Sequence, residues 1–233
     1  MKLSALYHRL CGGRLRHGPF RGMRYVRSSV GSSYGAKLLG TYELELRGVI
    51  DSLGPFPSII NVGGGEGYYA VGLALRNPAA RVRAYETDPR GQGLIRRLAA
   101  LNEVSDRFEV HGTCDRETLR KELAEKPFIF MDAEGAELEL LNPAALPGLA
   151  DCTCLVETHE FIVPGVTDRL RERFAGTHKV LEIPTQPRTL RDLPLAFQWL
   201  FRMAPAAYVA SVLDEGRPAP MSWLYFEPKG ARA

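Results

Sequence analysis

The sequence predicts a doubly wound α/β domain, with a mostly parallel sheet and helices on both of its faces. Three observations predict it. From residue 58 onward short apolar runs alternate with helical stretches, a cluster of glycines closes the first run, and an acid stands at the tip of the second. A parallel crossover must span the sheet, so each connection carries a helix and both faces become covered. At 233 residues the chain can fill one core with a little decoration but is short for two full domains.

The elements follow in order. Residues 58–62, Ser-Ile-Ile-Asn-Val, form a β-rich apolar run that stops at glycines. Residues 68–76 read as a helix closed by Asn77-Pro78, residues 81–85 return to strand, and Pro89 opens a helix that reaches Asn102. Residues 107–111 are the third strand, and Asp115 is the expected N-cap of a helix ending near Lys126. Residues 128–131, Phe-Ile-Phe-Met, are wholly apolar, as suits a strand in the middle of a parallel sheet. Residues 135–141 are helical, 152–158 the fifth strand, 166–175 a helix stopped by Gly176, and 179–183 and 223–226 the last two strands. The segment between those strands, residues 184–221, is too long for a plain connection, and a lid or substrate wall is the expected use. Its aromatics Phe197, Trp199, Phe201 and Tyr208 offer faces for stacking on a ring, although the plainer expectation is one buried helix face. Residues 1–50 then make an arm and helical lead-in, and residues 51–233 the main domain.

Composition narrows the class. With 45% hydrophobic and 24% charged residues the chain is neither disordered nor a fibrous repeat. No run reaches the roughly 18 apolar residues of a membrane span. The Met1-Lys2-Leu3 start is not followed by an apolar core and a small-residue cleavage site, so a cytoplasmic protein is expected. The four cysteines are too few and scattered for a disulfide framework and read as buried free thiols, and no Cys/His set has zinc spacing. Net charge is only +3, but residues 1–30 carry Lys2, Arg9, Arg14, Arg16, Arg21, Arg24 and Arg27 with no acid. Such a basic arm suits an anionic surface or partner, and the plainer expectation is a solvated terminus or a helix packed on the domain edge.

In a doubly wound sheet the ligand sits beyond the carboxyl ends of the strands, where strand order reverses. The first strand ends in Asn61-Val62-Gly63-Gly64-Gly65-Glu66-Gly67. Counted from Gly63, the third glycine of a G-x-G-x-x-G dinucleotide fingerprint would fall on Tyr68. Glu86 lies 23 positions after Gly63, at the tip of the second strand, where an acid can accept both ribose hydroxyls. Turn and acid together argue for an adenosine-bearing cofactor without choosing between NAD and S-adenosylmethionine.

The turn, Tyr85-Glu86-Thr87-Asp88-Pro89, Leu101-Asn102, Met131-Asp132-Ala133-Glu134-Gly135-Ala136-Glu137 and Val156-Glu157-Thr158-His159 together resemble the FkbM-type methyltransferases over residues 59–160. Leu39-Gly40-Thr41-Tyr42-Glu43 fits more loosely. The resemblance implies a class I methyltransferase fold with a seven-stranded sheet, S-adenosylmethionine as donor, and O-methylation. That family generally has an acid where this chain has Asn61, whose carbonyl can still accept from the cofactor's ammonium. The candidate cofactor residues are Asn61, Gly63, Gly65, Gly67, Tyr68, Glu86, Thr87, Asp115 and Asp132.

Methyl transfer from a sulfonium is an in-line displacement, and an alcohol acceptor needs help in losing its proton. Asp132, Glu134 and Glu137 follow the fourth strand, and Glu157, His159 and Glu160 the fifth, bordering one crevice. By the resemblance Asp132 faces the methionine end of the cofactor and the acceptor. Glu137 reads equally as a helix N-terminal acid and Glu134 as a cap, while His159 titrates near neutrality. Asp132 and His159 are therefore the expected catalytic pair, acting on a hydroxyl of a small molecule, glycan or natural product. The carboxylates would also accept a divalent cation, though the spacing does not require one. Three other readings stay open: an NAD-dependent dehydrogenase, which Tyr68 disfavours; a non-catalytic partner keeping the fold, which Asn61 permits; and an RNA methyltransferase, for which no recognition module is seen.

Overall fold

A computed structural model describes residues 8, 9 and 11–230, so Met1, Lys2 and Leu3 lie outside the described residues. Seven strands form one sheet: β1 (Ser58–Val62), β2 (Arg81–Tyr85), β3 (Phe108–His111), β4 (Phe128–Met131), β5 (Cys154–Thr158), β6 (His178–Pro184) and β7 (Ser222–Pro228). Their spatial order is β3-β2-β1-β4-β5-β7-β6. The first five run parallel, and β7 runs antiparallel to both β5 and β6. Strand order reverses between β1 and β4, so their carboxyl ends open the crevice in which such folds bind ligands.

The helices are α1 (Tyr34–Leu39), α2 (Arg47–Ser52), α3 (Tyr68–Arg76), α4 (Pro89–Leu101), α5 (Arg116–Glu122), α6 (Glu137–Leu140), α7 (Val166–Phe174), α8 (Leu195–Arg202) and α9 (Ala206–Leu213). Local chemistry fixes several ends. Asp88 caps α4 by accepting from the Arg90 amide at 2.9 Å, and Asp115 caps α5 through the Thr118 amide at 2.7 Å. Glu160 accepts from the amides of Gly165 and Thr167, at 2.7 and 2.8 Å, and so holds the start of α7.

Two boundaries differ from the sequence expectation. The helix expected over 135–141 begins only at Glu137, because Glu134 and Gly135 take positive φ and break the spiral. Strands β6 and β7 outrun their apolar cores, since they pair with each other continuously from His178↔Pro228 to Pro184↔Ser222. Residues 184–221 carry α8 and α9 between those strands.

Alternate residues of each strand point to opposite faces, which divides the core in two. In β4, Phe128 and Phe130 enter the layer with α3 and α4, while Ile129 and Met131 enter the layer with α5 and α7. The first layer also takes Leu15, Phe20, Met23, Tyr25 and Val26, so the described part of the basic arm is packed rather than solvated. The Phe20 ring rests on Gly72 in α3, where any larger residue would collide with it. The Arg24 backbone is tied to the Asn102 side chain by bonds of 2.9 and 2.8 Å. All four cysteines are free and buried. Among the described residues no helix is long and apolar enough to cross a membrane.

Candidate active site

Two adjoining cavities lie at the strand tips. The larger, about 420 Å³, runs from Glu86, Thr87 and Thr113 past the glycine turn to Asp132. The smaller, about 270 Å³, is lined by Glu43, Glu157, His159, Phe161 and Arg217. Tyr42, Asp132 and Glu134 stand on the wall common to both.

The turn that floors the larger cavity is built backbone against backbone. The amides of Gly63 and Gly64 both donate to the Tyr85 carbonyl at 3.0 Å, which ties the end of β1 to the end of β2. Gly63 has φ +79°, and a Cβ there would overlap the Asp132 carbonyl oxygen, so only glycine fits. Glu86 is pinned across the gap, accepting from the Gly65 amide at 2.6 Å and the Asp88 amide at 2.8 Å. An ionised carboxylate offers about four lone pairs, so Glu86 keeps acceptor capacity toward the cavity.

Seven of the nine candidate cofactor residues line this cavity: Asn61, Gly63, Gly65, Tyr68, Glu86, Thr87 and Asp132. Gly67 sits behind it as the N-cap of α3, at φ 97°. Asp115 does not line it either, its carboxylate being spent on the α5 cap. Buried Asn61 donates weakly to the Phe130 carbonyl at 3.5 Å, and its Oδ1 has no partner; the buried Tyr68 hydroxyl has none either. A buried acceptor left unmade is costly. The two orphaned groups therefore fit a ligand that brings N–H or O–H groups to the turn, such as an amino-acid-bearing nucleoside.

Beside the turn stands Glu66, which the sequence reading did not use. It is fully buried and bound by the Lys37 ammonium at 2.5 Å, the Tyr25 hydroxyl, the Ser29 hydroxyl at 2.9 Å and the Val30 amide at 3.0 Å. Burial pushes its pKa up, but the Lys37 charge and these donors outweigh it and hold the carboxyl below its ordinary range. Lys37 also lies 4.5 Å from the centroid of the Tyr42 ring. Glu66 thus fastens the arm over the turn and brings Val30, Gly31 and Ser32 onto the cavity wall.

At the other end, His159 is held between two carboxylates. Its Nδ1 lies 2.6 Å from Glu137 and its Nε2 3.3 Å from Asp132. Burial alone would lower its pKa, but hydrogen bonds to Asp132 and Glu137 and their charges prevail and push it up to about 10. Titration near neutrality, expected for a free imidazole, is therefore displaced: His159 is an imidazolium at pH 7. Glu137 is completely buried, accepts from the Gly135 amide at 3.1 Å as well, and so orients His159 rather than decorating a helix end. Glu134 is exposed on the shared wall.

Behind the smaller cavity runs a buried charge network that sequence reasoning missed. Arg217 pairs with Glu157 at 2.5 Å, Glu43 at 3.0 Å and Glu215 at 3.1 Å, and Arg188 pairs with Glu215 at 2.8 Å and with Glu45. Desolvation, only partly offset by Arg217, pushes Glu43 up to about 7; desolvation and the charges of Asp132 and Glu43 also raise Glu157. Asp132, Glu157 and His159 each bring one ligand-type atom within 4.8 Å of the others. Within this group His159 already bonds Asp132, and Glu157 is held by Arg217.

No protein-family model matches the chain, and no curated protein matches it. Solved structures do. The precorrin-6Y C5,15-methyltransferase of Geobacter metallireducens is similar with a TM-score of 0.51 at 12% identity, covering 80% of this chain and 89% of that one. An O-methyltransferase from Bacillus cereus in complex with SAH is similar at 17% identity, with 73% and 74% of the two chains covered and a TM-score of 0.46. TomG, a Streptomyces achromogenes O-methyltransferase of tomaymycin synthesis solved with SAM, stands at 14% identity, 73% of each chain and a TM-score of 0.45. The fold is the Rossmann-like methyltransferase fold.

Proposed function

We propose that this chain is an S-adenosylmethionine-dependent methyltransferase that methylates a hydroxyl group of a small molecule, glycan or natural product. The observation that carries the reading is the pair of cavities meeting at Asp132, one floored by a glycine turn with an acid across it, the other walled by titratable groups. The resemblance of residues 59–160 to the FkbM-type enzymes supports it.

The cofactor, when bound, supplies an electrophilic methyl on a sulfonium. Glu86, its carboxylate kept in place by the Gly65 and Asp88 amides, would hold the ribose hydroxyls. Asn61 would accept from the ammonium through its Oδ1, which has no partner within the protein. Asp132, on the shared wall, accepts the hydrogen bond of the acceptor hydroxyl and then its proton. His159, fixed by Glu137, orients the Asp132 carboxylate. This differs from a histidine base: the proton acceptor is Asp132, and His159 acts through it. A divalent cation at Asp132, Glu157 and His159 would need Nε2 free of its proton, which the ion pair with Asp132 keeps in place, so none is proposed.

Calorimetric titration tests the donor. S-adenosylmethionine and S-adenosylhomocysteine are expected to bind with micromolar affinity, at least about tenfold more weakly to Glu86→Ala, because a charge-assisted pair of bonds is lost. Binding of NAD in their place would move the chain to the dehydrogenases. Binding of none of the three would leave a non-catalytic member of the fold.

A further inference from the structure

Helix α8 is apolar on both sides, although it lies on the surface. Phe201 is buried and Phe197 packs against the core, as the helical spacing of the aromatics requires. Leu195, Trp199 and Met203 face outward and are 82%, 74% and 86% exposed. They stand four apart, so they form one ridge along the helix. The next most exposed large hydrophobic among the described residues is Leu181, at 51%. A helix that is hydrophobic all round is normally covered all round, and a contiguous apolar ridge left in water marks an interaction surface.

The charges beside the ridge say what covers it. A groove next to the start of α8 is lined by His17, Arg47 and Arg191 with Leu44, Pro194 and Leu195. Its one acid, Asp192, is spent on the Thr189 amide and hydroxyl at 2.7 and 3.0 Å. Burial and then the charges of Arg21, Arg47 and Arg16 lower the pKa of His17, which puts the exposed Arg16 and Arg21 of the arm in the same field. Arg202 adds an exposed cation in the last turn of the helix. Large exposed apolar side chains including a Trp, flanked by arginines, are the composition of a helix that lies in the headgroup region of an anionic bilayer.

We infer that α8 docks the protein on an anionic lipid surface, with Leu195, Trp199 and Met203 entering the acyl boundary and Arg47, Arg191, Arg16 and Arg21 meeting the phosphates. Residues 184–221 then serve as more than a substrate wall, and the basic arm, packed rather than solvated, has its anionic partner. The inference does not depend on the cofactor or the acceptor.

The full chain supplies its own probe. It has two tryptophans, and Trp223 is completely buried, so a change in emission on docking reports Trp199. Vesicles of phosphatidylcholine with phosphatidylglycerol are expected to shift the emission to the blue and to co-sediment the protein. Vesicles of phosphatidylcholine alone should do neither, and added salt should weaken the binding. Trp199→Phe should keep sedimentation and lose the shift. A triple variant, Leu195→Gln with Trp199→Gln and Met203→Gln, should bind at least about tenfold more weakly, since membrane affinity scales with buried apolar area. Its thermal midpoint should be unchanged, because these side chains are exposed. Absence of both the shift and sedimentation with the anionic vesicles would overturn the inference, as would undiminished binding by the triple variant. Sedimentation of the wild type as a dimer that the triple variant dissociates would overturn it too, by giving the ridge to a second copy of the chain.

Discussion

Replacing His159 by Gln tests the buried carboxylate–imidazolium arrangement on stability alone, with no substrate needed. A histidine whose folded pKa is raised stabilises the protein fully below its unfolded value of about 6.5, and the contribution is lost as pH climbs toward the folded value. For His159 that folded value is about 10. The rise corresponds to at most about 5 kcal/mol. Asp132 is 35% exposed, so solvent screens its share, and over pH 6.5 to 9 about 2 kcal/mol is expected to disappear. At a urea slope of about 3 kcal/mol per molar, this moves the unfolding midpoint by about 0.7 M. Glu43, pushed up to about 7, titrates mainly in the lower part of the window, and its effect cancels in a comparison with the variant. Gln can still donate to Glu137 but carries no charge, so the deficit of His159→Gln against the wild type should be about 2 kcal/mol larger at pH 6.5 than at pH 9. Parallel stability curves for the two proteins across that range would refute the imidazolium and, with it, the assignment of Asp132 as proton acceptor.

The remaining predictions concern the turn. Lys37→Met leaves the buried Glu66 without its cation and should cost about 3–5 kcal/mol in chemical unfolding. The double variant with Glu66→Gln should recover most of that loss, and failure to recover would mean that Lys37 acts mainly through its contact with Tyr42. Asn61→Leu removes a buried orphan acceptor, so the free protein should be unchanged or up to about 1 kcal/mol more stable, while S-adenosylmethionine binding falls about tenfold or more. Unchanged affinity in that variant would show that Oδ1 does not face the ligand's donor.

How far the sequence reached depended on whether a feature was local. Helix α3 and strands β1, β2 and β4 fall on their expected bounds, because apolar periodicity and the punctuation of Gly, Asn-Pro and Pro89 are written within a few residues of each element. Seven candidate cofactor positions share one cavity for the same reason: they are strand-tip residues, and the topology gathers strand tips. Glu66 carried a signal that went unread, a lone carboxylate inside a glycine turn where burial is unavoidable. The network of Arg217 with Glu43 and Glu157 carried none, since its members are 174 and 60 residues apart and nothing in the local pattern pairs them. Trp199 was misplaced by a subtler error. Helical spacing assigns Phe197 and Phe201 to one face, yet Trp199 sits between them on the other, and an element apolar on both sides gives no hint of which side is covered.

The placing of charge along the crevice bears on whether an amide at position 61 is compatible with the proposed methyl transfer. Methyl transfer moves positive charge from sulfur to the accepting oxygen. An anion on the cofactor's side therefore favours the bound ground state at least as much as the transition state, and adds affinity without adding rate. An anion on the acceptor's side meets charge only as it develops, and there it lowers the barrier. Asp132 stands where the two cavities join, while Glu157 and Glu43 beyond it are countered by Arg217, as Glu66 beside the turn is countered by Lys37 and the turn itself presents neutral Asn61. On the proposed reading the carboxylate placed to meet the developing charge is thus Asp132, on the wall the two cavities share. If the proposed reading holds, Asn61 in place of an acid would weaken cofactor binding and leave the chemical step to Asp132.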